Sequence, residues 1–145
     1  MLDHALAYVA RGWAVFPLKP LAKVPLTQRG FKAASKEPAT VRAWWAKWPN
    51  ANIGIATGSV SGLVVLDVDT KGAVNGFDAL KAFPALPETM QVDTPSGGRH
   101  YYFSLPDGLI VRNSAGKLGP GLDVRGEGGY VAAPPSATPA GVYRA

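Results

Sequence analysis

The 145 residues carry 15 Lys or Arg against 10 Asp or Glu, a net charge of +5, and 47% of them are hydrophobic. That is enough chain for one domain with its own core, and no apolar run approaches the ~18 residues of a membrane span. With no cysteine, disulfides, Cys-ligated zinc and thiol catalysis are excluded, so any metal chemistry must use oxygen donors or His4 and His100.

The amino end, Met1-Leu2-Asp3-His4, has no basic stretch followed by an apolar one, so no secretory signal is expected and the expected location is cytoplasmic. Leu2, Leu6 and Val9 fall near one face of a helix over residues 2–11, with Gly12 as its C-cap. Residues 13–18 read as a strand. Pro17, Pro20 and Pro25 then break the chain into an irregular loop that carries Lys23 and Arg29. A second helix is expected over 38–48, with Val41, Trp44, Trp45 and Trp48 at helical spacing and Pro49 as its stop. That spacing favours core packing of the tryptophans over stacking on bases.

Residues 53–57 and 63–68 read as two strands joined by a Gly-bearing turn, hence a hairpin. That pairing places Gly54 near the acids that follow, where it could admit a ligand. The second strand, Leu63-Val64-Val65-Leu66-Asp67-Val68-Asp69, is apolar until it delivers two carboxylates at positions i and i+2, which share a face. Two such charges repel, and a cation between them is the simplest resolution. Oxygen donors suit a hard ion such as Mg²⁺ or Mn²⁺. Asp-x-Asp is also a common solvated strand end or turn.

A third helix is expected over 74–83, then a strand over 90–94. Thr94-Pro95-Ser96-Gly97-Gly98-Arg99-His100 joins a glycine turn, whose backbone N–H groups can form an anion nest, to Arg99 and His100. In the strand that follows, His100 and Tyr102 share one face and Tyr101 and Phe103 the other. Residues 104–120 read as a polar, mobile loop. Asp123 and Arg125 share a strand face by parity, and Gly128-Gly129 is expected to turn that strand into a hairpin with residues 130–133. No folded element is expected after that. Between residues 11 and 50 eight basic side chains stand against Glu37 alone, while the acids cluster from Asp67 onward, an asymmetry suited to a polyanion handled beside metals.

Three stretches in this order resemble the primase–polymerase branch of the archaeo-eukaryotic primase superfamily, found on phages, plasmids and mobile elements. The strand ending in Asp67-Val68-Asp69 is similar to its first motif, Ser96-Gly97-Gly98-Arg99-His100 to its second, and Leu122-Asp123 to its third. Gly12-Trp13, Lys23 with Pro25, Trp45 to Pro49 and Asn52 to Ile55 resemble its flanking features. The resemblance implies an α+β fold, with a strand-rich catalytic half related to RNA-recognition folds packed on an amino-terminal α/β lobe. It also implies nucleotidyl transfer onto a single-stranded DNA template with two Mg²⁺ or Mn²⁺ ions on Asp67, Asp69 and Asp123. His100, with Ser96, Gly97 and Arg99, would place the nucleoside triphosphate, and Arg125, by its parity with Asp123 and its charge, is expected to contact phosphate or nucleotide. Relatives often carry a helicase beyond this region, so a larger replication protein is expected. A binding module without catalysis and a metal-dependent nuclease remain open on the same residues.

Overall fold

Helix is confined to three α-helical segments and one 3-10 turn (Gly30–Ala33) in the computed structural model, which describes residues 1–145. Helix α1 (Leu2–Ala10) buries Ala5 and Tyr8 and gives way to Gly12 at φ +87°, a left-handed conformation that glycine adopts without a Cβ penalty. Helix α2 (Pro38–Lys47) begins on Pro38, whose fixed φ and missing N–H suit a first turn. Its Val41 and Trp45 are buried, Trp44 and Trp48 pack against the same core, and Trp45 Nε1 donates to the Ala51 carbonyl at 3.1 Å. The tryptophans are therefore core residues. Helix α3 (Gly76–Leu80) is shorter than expected: the Asn75 side chain accepts the Phe77 N–H at its start, and Pro84 disfavours helical backbone just before it.

The strands are β1 (Val15–Leu18), β2 (Asn52–Ala56), β3 (Leu63–Val68), β4 (Met90–Asp93), β5 (Arg99–Ser104), β6 (Ser114–Ala115), β7 (Leu122–Arg125), β8 (Tyr130–Ala133), β9 (Ala137–Thr138) and β10 (Gly141–Val142). They form antiparallel sheets: one of three strands in the order β1-β2-β8, one of five in the order β4-β5-β3-β7-β6, and a two-stranded β9–β10 ribbon. The fold is thus mixed α/β, with few helices and several antiparallel sheets. The larger core joins α1, α2 and the three-stranded sheet to one face of the five-stranded sheet through Leu63, Val65, Val92 and Tyr102. The opposite face buries Leu66, Val68, Tyr101 and Leu122 against Phe77 and Leu80. No helix is long and apolar enough to cross a membrane.

Several expectations are corrected. β2 and β3 do not form a hairpin; beyond one bridge between Gly58 and Leu63 they lie in different sheets, because both edges of β2 are taken by β1 and β8. Gly54 consequently faces the Phe16 ring across the β1–β2 ladder and admits no ligand: a Cβ there would come 2.7 Å from Phe16 Cζ. The Gly128-Gly129 turn does not close a hairpin either, since it carries the chain from β7 in one sheet to β8 in the other. Finally, the tail after Ser136 is folded. It forms the β9–β10 ribbon, buries Tyr143, and pairs Arg144 with Asp93 of β4 through two backbone hydrogen bonds of 2.6 and 3.0 Å. Within the stretch expected to be only loop, β6 adds an edge to β7.

The two passages between sheets are stitched together. Thr57 Oγ1 donates to the Gly126 carbonyl at 2.7 Å, and the Ser59 N–H and hydroxyl both donate to the Glu127 carboxylate. Those bonds hold the Glu127 carboxyl below its ordinary range.

Candidate active site

Strand parity and register assemble the site. On β3 Leu63 and Val65 enter the larger core, and Asp67 continues their face where that core ends. Directly opposite Asp67 stand His100 on β5 and Asp123 on β7, so three titratable side chains form a row across the middle of the five-stranded sheet. Arg125, two residues along β7 and on the same face as Asp123, leans back over this row. Its Nη2 lies 3.5 Å from Asp67 Oδ2 and 3.7 Å from Asp123 Oδ2. His100 Nε2 lies 3.4 Å from the other oxygen of Asp67. His100 is 6% exposed, its ring lies tilted against the Tyr143 ring at 5.9 Å, and its Nδ1 has no partner.

Burial by itself would raise the Asp67 carboxyl, but the His100 hydrogen bond and charge, together with the Arg125 guanidinium, outweigh it and leave the group below its ordinary value. The repulsion that the sequence poses at Asp67 is answered within the chain by these two side chains. Asp69, two residues beyond Asp67, is half-buried, and its Oδ1 accepts the Lys71 N–H at 2.9 Å in a short turn. It therefore combines the turn-forming reading with a place beside Asp67. No group of three or more His, Asp or Glu side chains is close enough to hold a metal as arranged. The donor chemistry nevertheless fits a hard divalent ion: Asp67 and Asp123 are oxygen donors in direct register, and a cationic nitrogen already lies between them.

Two hollows adjoin the row. The larger, about 290 Å³, is lined by Asp67, His100 and Arg125 from one sheet, Gly128 and Gly129 of the connecting turn, Tyr130 to Ala132 of the other sheet, Asn113, and Lys23 and Phe31 from the segment after β1. The smaller, about 40 Å³, lies between Asp67, Asp69, Lys71, Ser96 and His100. Lys23 and Tyr143 border both. The turn at Ser96 is pinned where the Thr70 hydroxyl donates to the Ser96 carbonyl at 3.1 Å, and Gly97 adopts φ +89°. Gly98 packs so closely on the Val68 carbonyl that no side chain fits there. The carbonyl of Lys23 accepts the Tyr130 hydroxyl at 2.7 Å, which ties the lysine loop to the cleft wall.

Asp67, His100, Asp123 and Arg125 are thus brought into one row, and Asp69 and Ser96 meet Asp67 and His100 around the smaller hollow, with Gly97 in the adjoining turn. Arg99 is not. Being one residue from His100, it projects from the opposite face, pairs with Asp93 at 3.0 Å and lies over the rings of Phe77 and Tyr101. In the basic first third, Arg11 and Lys47 stack on Trp13 and Trp48, and Lys23 is the lysine of that set that lines the hollows. Sequence reasoning passed over Tyr143, Lys71 and Asn113. Lys71 was findable from its place two residues after Asp69. Asn113, whose Oδ1 accepts the Gly126 N–H at 2.7 Å, sits in a stretch without periodicity.

A family model described as "bifunctional DNA primase/polymerase, N-terminal" matches residues 5–145. Among curated proteins, none matches the chain in sequence.

Proposed function

The chain belongs to the bifunctional DNA primase/polymerase family, which implies DNA primase or polymerase activity, and from that premise we propose a specific mechanism and setting. The chain transfers a nucleotidyl group from a nucleoside triphosphate to a 3′-hydroxyl held on a single-stranded DNA template, in the replication of a phage, plasmid or mobile element. The 3′-oxygen, giving up its proton to solvent, attacks the α-phosphorus, the bond from that phosphorus to the bridging oxygen breaks, and pyrophosphate leaves. The observation that carries this reading is the Asp67–Asp123–His100 row, with Arg125 above it and two lysine-bordered hollows adjoining it.

Asp67, Asp69 and Asp123 would hold two Mg²⁺ or Mn²⁺ ions, which supply Lewis-acid activation of the attacking hydroxyl and neutralise charge on the leaving group. The remaining work belongs to the chain. His100, wedged between Asp67 and Tyr143, fixes the orientation of the Asp67 carboxylate. Arg125, Lys23 and Lys71 bring positive charge to the hollows that would receive phosphates, and the turn over Ser96 and Gly97 turns backbone toward the same place. Arg99 acts instead by holding β5 to β4.

The architecture supports the archaeo-eukaryotic primase fold. The five-stranded sheet with α3 on one face would be its RNA-recognition-like half, and α1, α2 and the three-stranded sheet its amino-terminal lobe. The chain would act in the cytoplasm, beside a helicase domain or partner. Primer extension on a labelled primed template with Mn²⁺ tests the activity and the acids together. Wild type should extend, and Asp67→Ala combined with Asp69→Ala should not; extension by that double variant removes the assignment.

A further inference from the structure

Resting on that reading of the site, we propose that Arg125 is a built-in counter-ion: without nucleotide its guanidinium takes the place of a divalent ion between Asp67 and Asp123, so that nucleotide and metal load together. The geometry supplies each part. One nitrogen, Nη2, approaches both carboxylates at 3.5 and 3.7 Å, from a residue two positions along β7 and on the same face as the Asp67–Asp123 pair. Both distances exceed the 2.7–2.9 Å or so of a well-made charged hydrogen bond, so the contact is shared and loose. Asp67 keeps His100 on its other oxygen and therefore stays oriented when Arg125 leaves. Arg125 is 35% exposed and lines the larger hollow, so a triphosphate arriving there meets it without any backbone change.

A guanidinium and a divalent cation cannot share the gap between two carboxylates without strong repulsion. Phosphate oxygens offer the same planar fork a bidentate contact, which the divided carboxylates do not. A triphosphate in the hollow draws Arg125 off the acids, and the acids are then free for metal. Linkage requires the reverse as well: metal on the acids releases Arg125 to bind phosphate.

Mn²⁺ binding to the whole chain without nucleotide, followed as loss of the free-ion electron paramagnetic resonance signal, tests the proposal. Arg125→Gln should bind Mn²⁺ about tenfold more tightly than wild type, inside the usual range for coupling between two ligands of one site. Arg125→Met, which keeps the aliphatic stem, should show the same gain, while Arg125→Lys, which keeps the charge, should stay near wild type. Equal affinity of wild type, Arg125→Gln and Arg125→Met, with weaker binding by Asp67→Asn, overturns the counter-ion and leaves Asp67 a ligand. Equal affinity of all of these, Asp67→Asn included, overturns the metal reading and the counter-ion with it.

Discussion

Gly54→Ala isolates the link between the three-stranded sheet and the cleft. Position 54 is buried directly opposite Phe16, and a methyl group there would lie 2.7 Å from Cζ and 2.8 Å from one Cε of a ring that is itself fully buried. Those distances are well inside van der Waals contact, so the ring must move. In the packed direction it meets Tyr130, edge to face at 5.2 Å, whose hydroxyl anchors the Lys23 loop. Overpacking of this kind costs about 1–3 kcal/mol, and the reduced freedom of the unfolded chain returns about 0.5 kcal/mol. A net loss of about 0.5–2.5 kcal/mol remains. At an unfolding entropy near 2 cal/mol/K per residue, it should lower the melting temperature by about 2–8 °C, measured by calorimetry. The coupling is the sharper test: in a Phe16→Leu background, which clears the ring, Gly54→Ala should cost nothing further. An equal loss in both backgrounds would refute the packing argument. A loss of nucleotide affinity without loss of stability would reinstate Gly54 as a point of ligand approach.

Two further outcomes follow from the same structure. The Asp67 carboxyl lies below its ordinary value of 3.8, so its pairing contributes stability that is fully present above that pH and lost as pH falls through the folded value. Asp67→Asn should therefore melt below wild type at neutral pH, by about 1 kcal/mol given that Asp67 and Arg125 are 20% and 35% exposed, and the two should converge below pH ~3.8. A difference independent of pH would contradict the charge assignment. Asn52→Ala should cost about 2–4 kcal/mol and speed amide exchange at Ala137, because the buried Asn52 side chain donates to the Ala22 and Ala137 carbonyls and accepts the Ala137 N–H. With both the Lys23 loop and the Tyr143 tail loosened, extension activity should fall in parallel; unchanged exchange at Ala137 would count against that anchor.

What the sequence made legible was local. Alternation along a strand correctly put His100 with Tyr102 and Asp123 with Arg125, because side-chain direction depends only on residue parity. The same parity separates Arg99 from His100, and grouping them as one motif ignored it. Strand partners were not legible. β2 and β3 are both apolar and joined by a short glycine turn, as in a hairpin, yet their partners are remote: Ile53 pairs with Ala133, and Asp67 with Asp123. Apolar runs buried on both faces carry no alternation that would name a neighbour. Tyr143 could not be read as a site residue for a related reason. Its position depends on the pairing of Arg144 with Asp93, a contact between segments with no shared pattern. The counter-charges on Asp67 were equally hidden, since they come from β5 and β7 and exist only once the register is set.

Anomalous diffraction from crystals soaked with Mn²⁺ and a non-hydrolysable nucleoside triphosphate tests most directly whether the acid row is the seat of nucleotidyl transfer. The account predicts a metal peak at about 2.1 Å from carboxylate oxygens of both Asp67 and Asp123, with Arg125 moved onto the phosphates. Metal and nucleotide bound elsewhere, with Arg125 still 3.5 Å from Asp67, would contradict it.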